Sequence, residues 1–168
     1  MSGKNKLAKF RENETFGCLL QPSSEDMLAG VFPVKGRWNE DVFHNDNPIV
    51  LELGCGRGEY TVALAARNPA VNYIGIDIKG ARLWKGAKYA TEHGMGNVAF
   101  LRTRIDFIRA AFLSSSSPAI LYISLSRLLD IRISMDGDEV SVNSLFLSYV
   151  PDMNKSYSPL FSFEAQII

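Results

Sequence analysis

The feature that most constrains this chain is a glycine-rich segment, residues 49–77, with the sequence IVLELGCGRGEYTVALAARNPAVNYIGID. Its first five residues are mostly apolar, which is typical of a strand buried on both faces of a parallel sheet. Three glycines then alternate with Cys55 and Arg57, and a helical stretch and a second strand, residues 72–76, follow. Because the N–H groups at the start of that helix face the glycine turn, the segment predicts a ligand-binding strand–turn–helix unit.

Two carboxylates flank the glycines and indicate the kind of ligand. Asp77 stands at the end of the second strand, about 20 positions past the glycines, where an acidic residue can accept two ribose hydroxyl groups. Glu52 lies inside the first strand, just ahead of Gly54. A dinucleotide fingerprint requires glycine at its sixth position, which is Glu59 here, and a carboxylate faces a pyrophosphate badly. The residues therefore favour a nucleoside ligand that carries no phosphate.

The pattern acid-x-Gly-x-Gly-x-Gly resembles motif I of the class I S-adenosylmethionine (SAM)-dependent methyltransferases. SAM has cationic sulfonium and ammonium groups and no phosphate, so acidic residues beside the loop suit it electrostatically. The resemblance implies an α/β fold with a doubly wound, Rossmann-like sheet, which we expect to be incomplete at its C-terminal end. A turn that only reverses the chain is the alternative, and the agreement of strand, glycines, helix and Asp77 argues against it.

Composition sets the outer limits of the interpretation. The chain has 168 residues, 46% of them apolar, which is enough core for a single domain. The net charge is zero, so nothing global indicates a nucleic-acid binder. The absence of a signal peptide and of a long apolar run predicts a cytoplasmic protein without a membrane partner. Cys18 and Cys55 are expected to be free thiols, and His44 and His93 lack the spacing of a metal site.

Although the net charge is zero, the content of charged residues and of serine changes along the chain. Residues 1–110 contain 15 Lys and Arg against 12 Asp and Glu, whereas residues 111–168 contain 3 against 6. Serine rises from 3 in the first part to 13 in the second. We therefore divide the chain into a basic N-terminal arm and connector (1–47), an α/β core (48–126) and a divergent C-terminal segment (127–168).

Basic residues gather in two places outside the glycine loop. The N-terminal sequence SGKNKLAKFR is either a solvated tail or an arm that binds phosphates. Residues 80–93 form a predicted helix. Basic residues recur at three-residue steps from just before it, at Lys79, Arg82, Lys85 and Lys88, and so drift slowly around one side of the helix. A solvated helix face is the simpler reading of that pattern. Residues 98–102 predict a third strand, and 106–112 a short helix.

Residues 1 to about 109 also resemble one family, the bacterial tRNA (guanine-N7)-methyltransferases. The matching stretches are GKNKLAKF, KGRWNEDVF, NPIVLELGCGRGEYTVALA, NYIGIDIKGARLWKGAK and NVAFLRTRID. The resemblance implies an enzyme that uses SAM to methylate N7 of a guanine in the variable loop of tRNA. It implies no metal, and we expect a monomer with tRNA as its partner.

The resemblance also assigns residues to two sites. The implied cofactor site consists of Glu52, Gly54, Gly56, Gly58, Asp77, Ile78 and Arg104. Arg104 stands where the family has an acidic residue, so its contact differs from the family's. The implied RNA-binding residues are Lys4, Lys6, Lys79, Lys85 and Lys88, which would hold phosphates and the shape of the folded RNA.

The chain departs from the family after its third strand. Residues 121–125 suit the fourth strand, but the family's Pro-Asp motif is absent, and Arg127 aligns with the aspartate. The catalytic residues are therefore unassigned. The alternatives are a catalytically inactive, truncated homologue that binds only SAM or RNA, and a SAM methyltransferase with another substrate. The C-terminal segment either adds edge strands to a reduced sheet or results from a frame change in the gene.

Overall fold

The computed structural model describes residues 3–112, 121–125, 129–136 and 139–145. The helices in this part of the chain are α1 (Gly3–Asn13), α2 (Ser24–Ala29), α3 (Glu59–Arg67), α4 (Gly80–Glu92) and α5 (Ile108–Phe112). The strands are β1 (Leu19–Leu20), β2 (Ile49–Leu53), β3 (Asn72–Asp77), β4 (Val98–Arg102), β5 (Leu121–Leu125), β6 (Leu129–Asp136) and β7 (Glu139–Leu145). A π-helical turn, Asn39–Phe43, precedes β2, and a 3₁₀ turn, Ile105–Phe107, precedes α5.

The strands form one mixed sheet in the order β1-β4-β3-β2-β5-β6-β7. The five strands from β1 to β5 pair in parallel, while β6 and β7 pair antiparallel at one edge. The chain builds the sheet outward from β2 to β3 and β4, and then returns to place β5 on the other side of β2. The predicted doubly wound α/β fold is thus confirmed, and β2 lies at the point where the strand order reverses.

Alternation along the strands separates two apolar clusters, one on each face of the sheet. Ile49, Leu51 and Leu53 of β2 join the cluster that the π-helical connector, α2 and α5 cover. The opposite cluster contains side chains of α3 and α4, including Ala65 and Leu83. Because successive side chains of a strand point to opposite faces, Glu52 is directed toward α3.

Close approach of α3 and α4 to the sheet depends on glycines that surround the ring of Phe100. A Cβ atom added to Gly75 or to Gly86 would lie 2.8 or 2.6 Å from atoms of that ring. One added to Gly58 would also collide with the ring. The missing side chains let a fully buried phenylalanine fill the space between the glycine loop, α4 and the sheet.

The N-terminal basic segment is a helix that packs on α4 and is not a solvated tail. Asn13 is 1% exposed, and its Nδ2 donates to the backbone oxygen of Gly80 at 2.9 Å. Glu12 accepts hydrogen bonds from Trp84 Nε1 at 2.7 Å and from Lys88 Nζ at 2.8 Å. These contacts hold α1 against the outer side of the domain, close to the start of α4.

The connector before β2 packs its aromatic side chains against the domain. Trp38 is buried, stacks on Phe112 with ring centroids 4.9 Å apart, and donates to the backbone oxygen of Ala111 at 3.0 Å. Asn72 of β3 is fully buried and donates to Oδ1 of Asn45 at 2.8 Å. The connector is therefore fixed at both its aromatic and its polar positions.

β5, near the end of the α/β core, and two strands of the divergent C-terminal segment complete one side of the sheet. β5 pairs with β2 over Leu121–Leu125, the range predicted for the fourth strand. β6 and β7 continue the sheet as an antiparallel pair, and Arg127 lies outside the described residues. Within the described ranges, the structure contains no helix with the length and apolar character needed to cross a membrane.

Candidate functional site

The glycine loop leaves the C-terminal end of β2 and leads into α3. Gly54, Gly56 and Gly58 have φ angles of 70°, 61° and 68°, in the left-handed region that side chains other than glycine rarely adopt. No neighbouring atom lies within 4 Å of a Cβ built on Gly54. The loop therefore exposes backbone at the carboxyl end of the strands, beside the point where the strand order reverses, which is where open α/β sheets bind ligands.

Asp77 closes the loop from the neighbouring strand. Its Oδ2 accepts a hydrogen bond from the backbone N–H of Gly56 at 3.1 Å, and its Oδ1 accepts one from Lys79 N–H at 2.7 Å. The backbone N–H of Cys55 also donates to the oxygen of Ile76 at 3.0 Å. The carboxylate is 8% exposed, so its orientation is fixed by the loop on one side and by the start of α4 on the other.

Glu52 supplies the second carboxylate of the site. It is 7% exposed on β2, and the Thr61 hydroxyl of α3 donates to its Oε2. Burial raises the pKa of Glu52 above its ordinary value, while the hydrogen bonds from Thr61 oppose that rise. The sequence prediction missed Thr61. The available signal was a polar residue one helical turn before buried Ala65, on the face of α3 that packs inward.

Cys55 is a buried residue of the glycine loop, and the charges of these two carboxylates affect the pKa of its thiol. Burial raises the pKa of its thiol strongly, and the negative charges of Glu52 and Asp77 raise it further. The thiol is thus neutral at ordinary pH, and it is not a nucleophile. The electrostatic character of the loop is set by two buried acids, an environment that suits a cationic ligand.

The two remaining predicted cofactor residues lie at the same edge of the sheet. Ile78 follows Asp77 directly and is 56% exposed, an apolar surface at the end of β3. Arg104 follows β4, is exposed, and forms an ion pair with Asp106. The sequence prediction did not include Asp106, the partner of Arg104 in that ion pair.

The predicted RNA-binding lysines fall into different environments. Lys88 turns toward α1, where it pairs with Glu12 at 2.8 Å, and also reaches Glu92 at 3.4 Å. Lys85 pairs with Glu59 of α3. Lys79 pairs with no carboxylate in the described part of the chain. The regular three-residue spacing therefore does not produce one common basic surface.

The other two lysines lie on α1. Lys4 is in the first turn of that helix. Lys6 is exposed, with its Nζ 6.0 Å from the centre of the Phe10 ring. A third lysine of the helix, Lys9, places its Nζ 4.4 Å from the centre of the Trp84 ring, a contact that helps α1 to pack on α4. Among the residues described, no group of three or more His, Cys, Asp or Glu side chains is arranged to hold a metal ion.

β2, the glycine loop and Asp77 together form the ligand-binding unit of a doubly wound α/β fold. Residues 46–121 match a family described as "Putative methyltransferase". A solved structure titled "Structure of an antibiotic related Methyltransferase" is 23% identical over 54% of this chain and 42% of its own, with a TM-score of 0.39.

Curated relatives that the chain resembles share one name. The chain is 60% identical over 112 residues to the tRNA (guanine-N(7)-)-methyltransferase of Christiangramia forsetii, covering 67% of this chain and 50% of the relative. It is 65% identical over 81 residues to the protein of the same name from Porphyromonas gingivalis, covering 48% and 33%. The chain thus spans about half the length or less of these relatives. The predicted resemblance to tRNA (guanine-N7)-methyltransferases is confirmed over the N-terminal two thirds of the chain.

Proposed function

We propose that this chain binds SAM at the glycine loop and methylates N7 of a guanine in tRNA. The observation that carries the proposal is the pair of buried carboxylates, Glu52 and Asp77, fixed beside a glycine loop whose backbone is exposed at Gly54. The names of the relatives supply the substrate and the methylated atom. A cytoplasmic location is part of the proposal, since tRNA is its substrate.

The residues present suit SAM. Asp77 uses its two oxygens to accept one backbone hydrogen bond each, and a carboxylate offers about four acceptor positions, so acceptor capacity remains for ribose hydroxyl groups. The exposed side chain of Ile78, next in sequence, offers an apolar surface to the adenine ring. Glu52 and Asp77 together supply negative charge for a ligand whose sulfonium and ammonium groups are positive.

The methyl transfer itself demands little of the protein. When bound, SAM supplies a methyl group activated by its sulfonium. Guanine N7 carries an exposed lone pair and no proton, so no strong general base is needed. The protein's task is to hold N7 in line with the carbon–sulfur bond and to tolerate positive charge on the base as the N7–carbon bond forms.

A second candidate function is a homologue that binds SAM and RNA without transferring the methyl group. The observation that favours it is in the sequence, where Arg127 aligns with an aspartate of the family and so reverses the charge at that position. This candidate differs from the first in catalysis alone, because both require the same cofactor site.

Labelled methyl transfer separates the two candidates. The chain is incubated with SAM labelled in its methyl group and unmodified tRNA, and methylation is mapped by cleavage at N7-methylguanine. We expect label in the variable loop and none with Asp77→Ala. Asp46→Asn is the matched control, because Asp46 is exposed and precedes β2 at the opposite edge of the sheet. SAM binding without transfer would support the inactive homologue, and label at another atom or in a small molecule would indicate another substrate.

A further inference from the structure

One face of α4 presents a row of exposed side chains that the cofactor site does not use. Arg82, Lys85, Tyr89 and His93 follow one another at intervals of three or four residues, so they lie on one side of the helix. We call these four residues the outer face of α4. The neighbouring side, with Trp84 and Lys88, is covered by α1 and is not part of it.

The far end of the outer face is an ordered aromatic pair. The rings of Tyr89 and His93 stack with centroids 3.9 Å apart and an angle of 19° between their planes. His93 Nδ1 lies 2.8 Å from the backbone oxygen of Tyr89, which fixes the imidazole in place. Tyr89 is nevertheless 43% exposed. Two aromatic rings are thus held in one geometry at the surface, and part of their area faces solvent.

The near end of the outer face, together with Lys79 just before the helix, is positively charged. Arg82 and Lys79 are both exposed, and neither forms an ion pair with a carboxylate of the described residues. Lys85 is joined to Glu59, so it adds little net charge. The face therefore changes from basic at the start of α4 to aromatic at its end.

This surface begins at the cofactor site. α4 starts three residues after Asp77, and in its middle Gly86 packs closely on the backbone oxygen of Arg57 in the glycine loop. At a rise of about 1.5 Å per residue, Tyr89 lies roughly 10 Å along the helix from Arg82. A ligand that follows the outer face would have one end beside the exposed Ile78 and the glycine loop.

We propose that RNA binds along the outer face of α4, with Arg82 and Lys79 on phosphates and an unpaired base stacked on Tyr89. Charge complementarity supports an anionic polymer, because Arg82 and Lys79 pair with no carboxylate in the described part of the chain. The exposed rings support a nucleic acid in particular, since unstacked bases are bound on aromatic side chains. The inference rests on the proposed function and specifies which surface receives the tRNA.

Binding of a fluorescently labelled, unmodified tRNA transcript to the full chain tests the proposal by anisotropy at several salt concentrations. Tyr89→Ala should weaken binding roughly 5- to 150-fold, the range for loss of one base–aromatic stack. Tyr89→Phe keeps the ring and should stay within about twofold of the unaltered protein. Arg82→Gln should weaken binding and lower the slope of log affinity against log salt by about one.

Arg109→Gln provides a matched control, because Arg109 is exposed on α5, which packs on the opposite face of the sheet from α4. It should bind tRNA like the unaltered chain. Unchanged affinity of both Tyr89→Ala and Arg82→Gln, with intact melting temperatures, would overturn the inference, as would failure of the unaltered chain to bind tRNA at low salt. SAM titration of the same samples reports on the cofactor site separately, so the proposed function can stand while this surface assignment fails.

Discussion

At the scale of single residues, the site depends on keeping two acids buried beside a glycine loop. Glu52 is stabilised by hydrogen bonds from Thr61, and Asp77 by backbone N–H groups of Gly56 and Lys79. Hydrogen bonds to a carboxylate offset part of the cost of burying it. The raised pKa of Glu52 shows that in its case the cost is not fully offset.

Glu52→Gln should therefore stabilise the protein while weakening SAM binding. A pKa raised in the folded state means that Glu52 contributes stability below its ordinary pKa of 4.5, and that this contribution is lost as pH rises through the raised value. The variant removes that loss, so its melting temperature should match the unaltered chain near about pH 4 and exceed it toward neutral pH. Each 1 kcal/mol corresponds to about 2–4 °C in a protein of this size.

The measurement is thermal unfolding across pH, paired with SAM titration at neutral pH. Gln keeps the shape and an acceptor for the Thr61 hydroxyl but removes the negative charge that attracts the sulfonium. A variant that is less stable at every pH would contradict the assigned cause of the pKa shift. One that binds SAM as tightly as the unaltered chain would show that Glu52 is not its counter-charge.

At the scale of elements, the glycines around Phe100 set the distance from α3 and α4 to the sheet. Gly86 lies in the interior of α4, where alanine would ordinarily favour the helix by about 0.5–1 kcal/mol. The Cβ of that alanine would lie 2.6 Å from Cζ of Phe100 and 2.9 Å from the backbone oxygen of Arg57. The backbone contact cannot be relieved by a side-chain rotation, so the glycine loop itself would have to move.

Gly86→Ala should accordingly destabilise the protein by about 1–3 kcal/mol, the usual cost of overpacking a well-filled core. It should also weaken SAM binding, because Arg57 belongs to the glycine loop that we propose binds SAM. Gly96→Ala is the control, since nothing lies within 4 Å of its added Cβ and its φ is not in the left-handed region. Denaturant unfolding measures the free energy of unfolding of both variants. Equal stabilities would show that the close packing around Phe100 does not contribute to stability.

Sequence reasoning succeeded for elements whose signals are local. The apolar run of β2, the glycines and the residues of β3 and β4 predict those elements almost to the residue. The packing of α1 on α4 was not predictable, because Glu12 and Lys88 are 76 positions apart and each resembles an ordinary surface charge. Thr61 had a local signal, its place on the inward face of α3, but that signal did not identify Glu52 on β2 as its partner.

At the scale of the whole molecule, the match to the family and the β-sheet end at different points of the chain. The family match spans residues 46–121 and so stops at the start of β5, whereas the sheet continues through β6 and β7. The nucleotide sequence around codons 105–130 bears on this difference. A Pro-Asp motif in another reading frame would identify a frame change, and its absence from every frame would leave the C-terminal strands as the native edge of the sheet.

The cofactor site is the claim on which the other proposals depend, and SAM titration by isothermal calorimetry tests it most directly. We expect one SAM to bind per chain, and Asp77→Ala to weaken binding at least about tenfold, since hydrogen bonds to a charged group contribute about 1.5–3 kcal/mol. The exposed-carboxylate control Asp46→Asn should bind as the unaltered chain does, and melting temperatures should show that all three proteins are folded. Absence of binding to the folded, unaltered chain, or binding that Asp77→Ala leaves unchanged, would contradict the assignment of this loop as a SAM site.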